Sequence, residues 1–316
     1  MEKEQVVVVG EIASFLKLYS DGSFLRSPHP TTPASSQFTD GVASKDVVIN
    51  SETGVWARIF KPETASQKPP VVIYFHGGGF AVCSTAWVEF HAFLHRLCKT
   101  AGVVIVSVDY RLVPANRLPA AYDDCTEAVE WAAKHAAGKA EIAEEWLLPA
   151  VVDFSRCFLA GESAGGNIVH HVGLRVADVD LDPLKVKGLI VLHPFFGGEE
   201  MVDSEKGEKM EKFVEKCNFI WSISLPAGSD RNHPFCNPAV SPIKSGLQLP
   251  PVLVGIAGKD DLKERGVMYY EYLKKCGNEA ELMVEESGVH AYHISLPEFE
   301  GTLRLIQCFS NFVDTH

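Results

Sequence analysis

Ser163 stands in Gly161-Glu162-Ser163-Ala164-Gly165, with glycine two residues to either side. That is the pattern of a nucleophile on a sharp turn from strand to helix. The backbone at such a bend crowds its neighbours, so the positions two before and two after tolerate no sizeable Cβ. The first N–H groups of the following helix have no intrahelical partner and would face the oxygen of a carbonyl seated on the hydroxyl. A serine at its ordinary pKa is a poor nucleophile and needs a base, and the base needs a group to orient it. Both follow in the chain. Asp260 and Asp261 come directly after the apolar run 251–256, at the kind of strand end where functional loops gather. Asp260 comes first off that loop and is the expected acid, with Asp261 free to cap a helix starting near Lys263. His290, in the loop after the run 281–284, is the expected base. His293, three residues on, would already be entering the last helix.

Donors for an oxyanion are encoded upstream. His76-Gly77-Gly78-Gly79-Phe80 follows the continuous apolar run 71–75, and successive glycines let a backbone approach a ligand closely and turn its N–H groups inward. A phosphate loop would carry G-x-x-x-x-G-K-[ST], which is absent. Gly77, Gly78 and Ala164 are the expected donors, each worth about 3 kcal/mol of transition-state stabilisation. The other histidines read as structural: His91 and His95 are four apart without the glutamate of a zinc-protease helix, His170 and His171 lie in the helix after Ser163, and His76 anchors the glycine loop. Eight cysteines without a C-x-x-C pair predict neither a disulfide framework nor a zinc site. The chemistry calls for no metal and no cofactor.

These groups need a frame. From residue 71 buried-strand runs (71–75, 103–108, 157–160, 188–192, 252–256, 281–284) alternate with helical patterns (87–98, 122–136, 168–176, 266–275, 297–312). Such repeats predict a mostly parallel sheet with helices on both faces. Upstream, 46–60 reads as a hairpin turning at Thr53-Gly54, on the sheet's edge. Two segments break the alternation. Between Leu192 and Val252 no strand-like run occurs, but Met210, Phe213, Val214, Cys217 and Trp221 recur at helical spacing, as an inserted cap or an amphipathic surface helix would. Residues 6–19 are too apolar to stay solvated and are expected to fold back as a lid, followed by a Pro/Ser/Thr-rich loop over 27–37.

A length of 316 residues suits one large α/β domain with an insertion. The net charge of −12, with no run of Lys and Arg, excludes nucleic acid and anionic membrane as partners; a small neutral or hydrophobic ligand fits. The acidic start and four valines are too short for a signal peptide or a membrane span, so a cytosolic protein with nuclear access is expected, as monomer or weak dimer.

Over nearly its whole length the chain resembles the plant carboxylesterases of the hormone-sensitive-lipase branch of the α/β-hydrolases. The matching stretches are Tyr74-Phe75-His76-Gly77-Gly78-Gly79-Phe80, Asp109-Tyr110-Arg111-Leu112, Leu118-Pro119-Ala120-Ala121-Tyr122-Asp123-Asp124, Gly161 to Asn167, Asn237-Pro238, Asp260-Asp261-Leu262 and His290-Ala291-Tyr292-His293. The resemblance implies an α/β-hydrolase fold in one domain over 1–316, and a triad of Ser163, Asp260 and His290, met in the order that fold uses. It also implies an oxyanion hole of Gly77, Gly78 and Ala164, and a cap from 1–43 and 195–249 over an acyl and alcohol pocket. Gly79, Phe80, Trp221 and Tyr292 are the expected pocket walls. The chain departs from the family at Val113-Pro114-Ala115-Asn116, away from the triad, and at Ala291-Tyr292, where Tyr292 is expected to reshape the pocket or the surroundings of His290. The family also holds gibberellin receptors, which resemble esterases that lost the histidine, and isoflavonoid dehydratases, which resemble this scaffold with threonine as nucleophile. His290 and Ser163 point to a serine carboxylesterase acting on a small-molecule ester, the alternatives being a receptor or a lyase.

Overall fold

The computed structural model describes residues 6–63, 68–241, 243–244 and 246–316; the acidic start at 1–5 lies outside them. The chain opens with three short strands, β1 (Val8–Ile12), β2 (Leu16–Tyr19) and β3 (Phe24–Arg26), which pair antiparallel as a separate sheet. The predicted hairpin follows as β4 (Val42–Asn50) and β5 (Val55–Pro62). Then come β6 (Pro70–Phe75), α1 (Val88–Ala101), β7 (Val104–Asp109), α2 (Ala120–Ala136), β8 (Asp153–Glu162), α3 (Ala164–Val176) and β9 (Val186–Leu192). The last part holds α4 (Glu211–Ser224), β10 (Val252–Ala257), α5 (Lys263–Lys275), β11 (Ala280–Glu285), the one-turn α6 (Tyr292–Ser295) and α7 (Glu300–Thr315). The main sheet runs β11-β10-β9-β8-β6-β7-β5-β4. Its neighbours are parallel from β11 to β7, and the β4–β5 hairpin closes one edge antiparallel.

The alternation of strand side chains splits the interior into two cores. Along β6, Val71, Ile73 and Phe75 face one core with residues of α2, α3 and α5, such as Val129, Val172 and Leu273. Val72 and Tyr74 face the other, with Phe93 and Leu97 of α1 and Leu305 and Phe309 of α7. Every residue of β6 is buried, which is why the run is apolar without alternation. Helix ends fall where chain chemistry sets them: Gly102 ends α1 at φ 63 and caps it by donating to Cys98 O at 3.0 Å. The helix expected over 297–312 is present as α7, starting three residues later and preceded by a separate short turn. A single turn covers Tyr292–Ser295, and α7 begins at Glu300.

The two segments outside the alternation meet each other. Residues 6–19 form a strand pair, with Ile12 and Leu16 buried and Val6 to Val9 half-exposed. Gly10 of β1 lies flat on the Phe219 ring of α4, so close that a Cβ there would overlap it. Arg26 ties β3 to the main body, donating from Nε to Ala81 O at 3.1 Å and from Nη2 to Val113 O. All eight cysteines are free thiols. Among the described residues no helix is long and apolar enough to cross a membrane.

Candidate active site

Ser163 joins β8 to α3 at φ 56 and ψ −119, a strained conformation for a side-chain-bearing residue. The reason for the flanking glycines is a neighbouring strand. A Cβ on Gly161 would lie 2.6 Å from Phe75 O at the end of β6, and one on Gly165 would overlap the same carbonyl. The turn is pressed against β6 with no room for either, and its Ser163 N–H is held by Leu192 O of β9 at 2.9 Å.

Two other loops at the same end of the sheet bring their groups to the serine. His290 Nε2 lies 3.0 Å from Ser163 Oγ, and His290 Nδ1 lies 2.6 Å from Asp260 Oδ2. An ionised carboxylate only accepts, so His290 carries its proton on Nδ1 and leaves Nε2 to accept from the serine hydroxyl. Burial of Asp260 works to raise its pKa. The hydrogen bond and charge of His290, together with the Leu262 N–H on Oδ1 at 2.9 Å, outweigh that and hold it below the usual value. Asp261 is exposed at the cavity rim, and among the described residues no side chain caps α5. The capping role expected for Asp261 is therefore not seen: Asp260 itself takes the Leu262 N–H. His293 lies in α6, buried, its ring 4.7 Å from that of Phe93. Burial and the adjacent His290 lower its pKa to about 3. His91, His95 and His170 hold structural contacts, on Arg58, Thr39 O and Tyr269 respectively.

The expected donor set needs a correction. Gly77 N–H donates to Oε1 of Glu162, whose Oε2 accepts from the Tyr74 hydroxyl, so this N–H is already spent. Gly78 and Gly79 occupy φ 95 and 61, and their N–H groups have no hydrogen-bond partner among the described residues. Ala164 is the first residue of α3, where an N–H has no intrahelical acceptor. Glu162, which the sequence reading passed over, is buried, and that burial raises its pKa to about 8 against the pull of the Tyr74 and Gly77 bonds. Nothing local marks it, since its partners come from the strand and loop 85 to 88 residues earlier. His76 steadies the glycine loop: its Nδ1 is 2.9 Å from Gly77 O, its ring stacks on Tyr110 at 4.4 Å, and the Tyr110 hydroxyl donates to His76 O at 2.7 Å.

A cavity of about 660 Å³ opens over Ser163, within the range of small-molecule sites. Gly79 lines it, as expected, but Phe80, Trp221 and Tyr292 do not. Phe80 is fully buried and packs 5.7 Å from Trp221, which stacks on Phe195 at 4.7 Å. On α4 the wall is Phe213, Lys216, Cys217 and Ile220; Trp221, one residue further round, points into the core. Tyr292 is buried behind His290 against Gly288, whose added Cβ would lie 2.6 Å from the tyrosine ring. Other walls include Ile12, Phe15 and His29 from the N-terminal sheet and the segment after it, with Trp87 from the segment leading into α1 and Phe90 of α1 itself. His29 stacks on Trp87 at 3.9 Å and bonds Glu89 at 2.8 Å, a polar pair the sequence reading did not single out.

Residues 72–294 match the sequence pattern of the alpha/beta hydrolase fold family, and residues 26–115 that of the carboxylesterase family. The chain is 39% identical over 290 residues to "Probable carboxylesterase 8" of Arabidopsis thaliana, covering 87% of this chain and 85% of that one. It is 40% identical over 296 residues to tuliposide A-converting enzyme 2, chloroplastic, of Tulipa gesneriana, covering 91% and 74%. Among solved structures it is similar to EstE1, a thermostable carboxylesterase cloned from a metagenomic library, with a TM-score of 0.70, 25% identity and coverage of 92% and 90%. With a serine turn, a glycine loop and a histidine loop set on one parallel sheet, and with these relatives, the chain belongs to the α/β-hydrolase family, in the branch that holds the plant carboxylesterases.

Proposed function

We propose that Ser163, Asp260 and His290 are the catalytic triad of a serine carboxylesterase that cleaves a small-molecule ester through an acyl-enzyme. The observation that carries this is the unbroken chain from Ser163 Oγ through His290 to Asp260, at 3.0 and 2.6 Å. His290 Nε2 takes the hydroxyl proton as Ser163 Oγ bonds to the ester carbonyl carbon. The oxyanion rests on the N–H groups of Gly78, Gly79 and Ala164. His290 then gives its proton to the departing alcohol as the C–O bond breaks, and water repeats the steps to release the acid. Asp260 fixes the tautomer and stabilises the imidazolium.

Residues 1–43 and 195–249 serve as cap, an assignment supported by Ile12, Phe15 and His29 of the first and Phe213, Cys217 and Ile220 of the second facing the same cavity as Ser163. The unpaired thiols suit a reducing compartment, and we place the protein in the cytosol with nuclear access; a fluorescent fusion collecting in plastids would overturn that placement. The test of function is hydrolysis of short-chain p-nitrophenyl esters by the wild type beside Ser163→Ala. Turnover lost in the variant supports the reading. Absence of turnover in both sinks it, in favour of a receptor or a lyase.

A further inference from the structure

His193 stands directly behind the base. It is the first residue after β9, with its backbone in the left-handed region at φ 44, and its N–H donates to Gly255 O of β10 at 2.7 Å. Its buried ring lies 6.0 Å, centroid to centroid, from that of His290, and 5.2 Å from those of Tyr292 and His293. The informative contact is to backbone: Ala291 N–H donates to His193 Nδ1 at 3.2 Å. Ala291 follows His290 and holds φ 50, a left-handed conformation that a residue with a Cβ adopts only when its surroundings impose it.

An accepting Nδ1 places the proton of the neutral ring on Nε2, which is buried without a partner among the described residues. Burial, reinforced by the neighbouring imidazoles of His293 and His290 and opposed by Asp260, keeps the ring neutral and Nδ1 able to accept. A side chain present only to fill space would be apolar and would leave no orphaned N–H. The retained acceptor is what a leucine or phenylalanine could not supply.

We propose that His193 is a positioning residue for His290: by accepting the Ala291 N–H it fixes the left-handed turn that aims His290 Nε2 at Ser163 Oγ. Its kinetic consequence rests on the triad reading above; its geometric consequence does not. The test compares His193→Leu and His193→Phe, which fill the volume without an acceptor, with His193→Asn, whose Oδ1 can stand where Nδ1 stood. For p-nitrophenyl butyrate, kcat falls by at least about tenfold in the acceptor-free variants with KM within about twofold, and His193→Asn returns kcat to within about threefold of wild type. In proton NMR the low-field signal of the His290 Nδ1–H bound to Asp260 shifts or broadens in His193→Leu and is restored in His193→Asn.

Whichever acceptor-free variant keeps a wild-type thermal midpoint serves for the comparison. The NMR readout needs no turnover, so a wild type inactive on esters would remove the esterase reading and still leave His193 tested. Wild-type kcat and low-field signal in a folded acceptor-free variant would overturn the proposal. So would a folded His193→Asn as impaired as His193→Leu in both readouts, since ring volume and not the acceptor would then be what matters.

Discussion

Adjacent carboxylates at 260 and 261 differ in what they touch. Asp260 holds His290 Nδ1 and the Leu262 N–H, while Asp261 sits exposed at the rim. Asp260→Asn leaves the histidine in the wrong tautomer and is expected to lower kcat by about 10⁴; Asp261→Asn should change it less than about threefold, as steady-state kinetics will show. Glu162 yields a pH prediction. Its carboxyl is raised from 4.5 to about 8 by burial, so the folded state favours the protonated form. That contribution is fully present below pH 4.5 and is lost as pH rises through about 8. Glu162→Gln, which mimics the neutral form and can still accept from Gly77, should lack the decline in thermal midpoint that Glu162 gives the wild type between about pH 5 and 8. Parallel declines in both proteins would count against it. The contact of Ser163, His290 and Asp260 was legible in the residues because they follow strand ends in a fixed order. The free donors were not, because which glycine N–H is spent depends on Glu162, a contact across β6 and β8.

Among the elements, α4 shows why Trp221 was misplaced as a pocket wall. The periodicity from Met210 to Trp221 correctly predicts a helix, but that helix lies between cavity and core and is covered on two sides. Ile220 and Trp221, successive residues, therefore point to different places. Periodicity reports an apolar face and cannot say whether protein or ligand covers it. The same helix bears the N-terminal sheet through Phe219 and Gly10. Gly10→Val inserts methyls where the Phe219 ring already sits and should destabilise the sheet's docking by about 1–3 kcal/mol. The expected result is a raised KM for p-nitrophenyl butyrate and faster proteolysis within 27–37, with kcat retained. Phe219→Ala in the same chain should restore KM, because residues in contact couple; a double variant no better than Gly10→Val would mean that the two segments do not bear on each other.

On the scale of the molecule, the two cores share the strands between them. Perturbing either is expected to act on one unfolding event if 1–316 is a single domain. Leu273 belongs to one core and Phe309 to the other. Leu273→Ala should cost about 2–5 kcal/mol and Phe309→Ala about 3–5 kcal/mol. Both should lower the same calorimetric transition, whereas two separable transitions would divide the chain. The fold itself was readable because buried parallel strands need continuous apolar runs. The β1–β2 pair was not, since Val6 to Tyr19 is short and its bend at Ala13-Ser14 lacks the turn chemistry that marks β4 and β5. The order of strands also bears on how the enzyme comes into being. Ser163 leaves β8 in mid-chain, but His290 follows β11, an edge strand and the last strand in the chain. Synthesis runs from the N-terminus, so a growing chain carries the glycine loop and Ser163, the latter 127 residues before His290, its base on the proposed reading. With the proposed triad, a nascent chain or one truncated before His290 lacks its base, and turnover is expected to begin only with the completed fold.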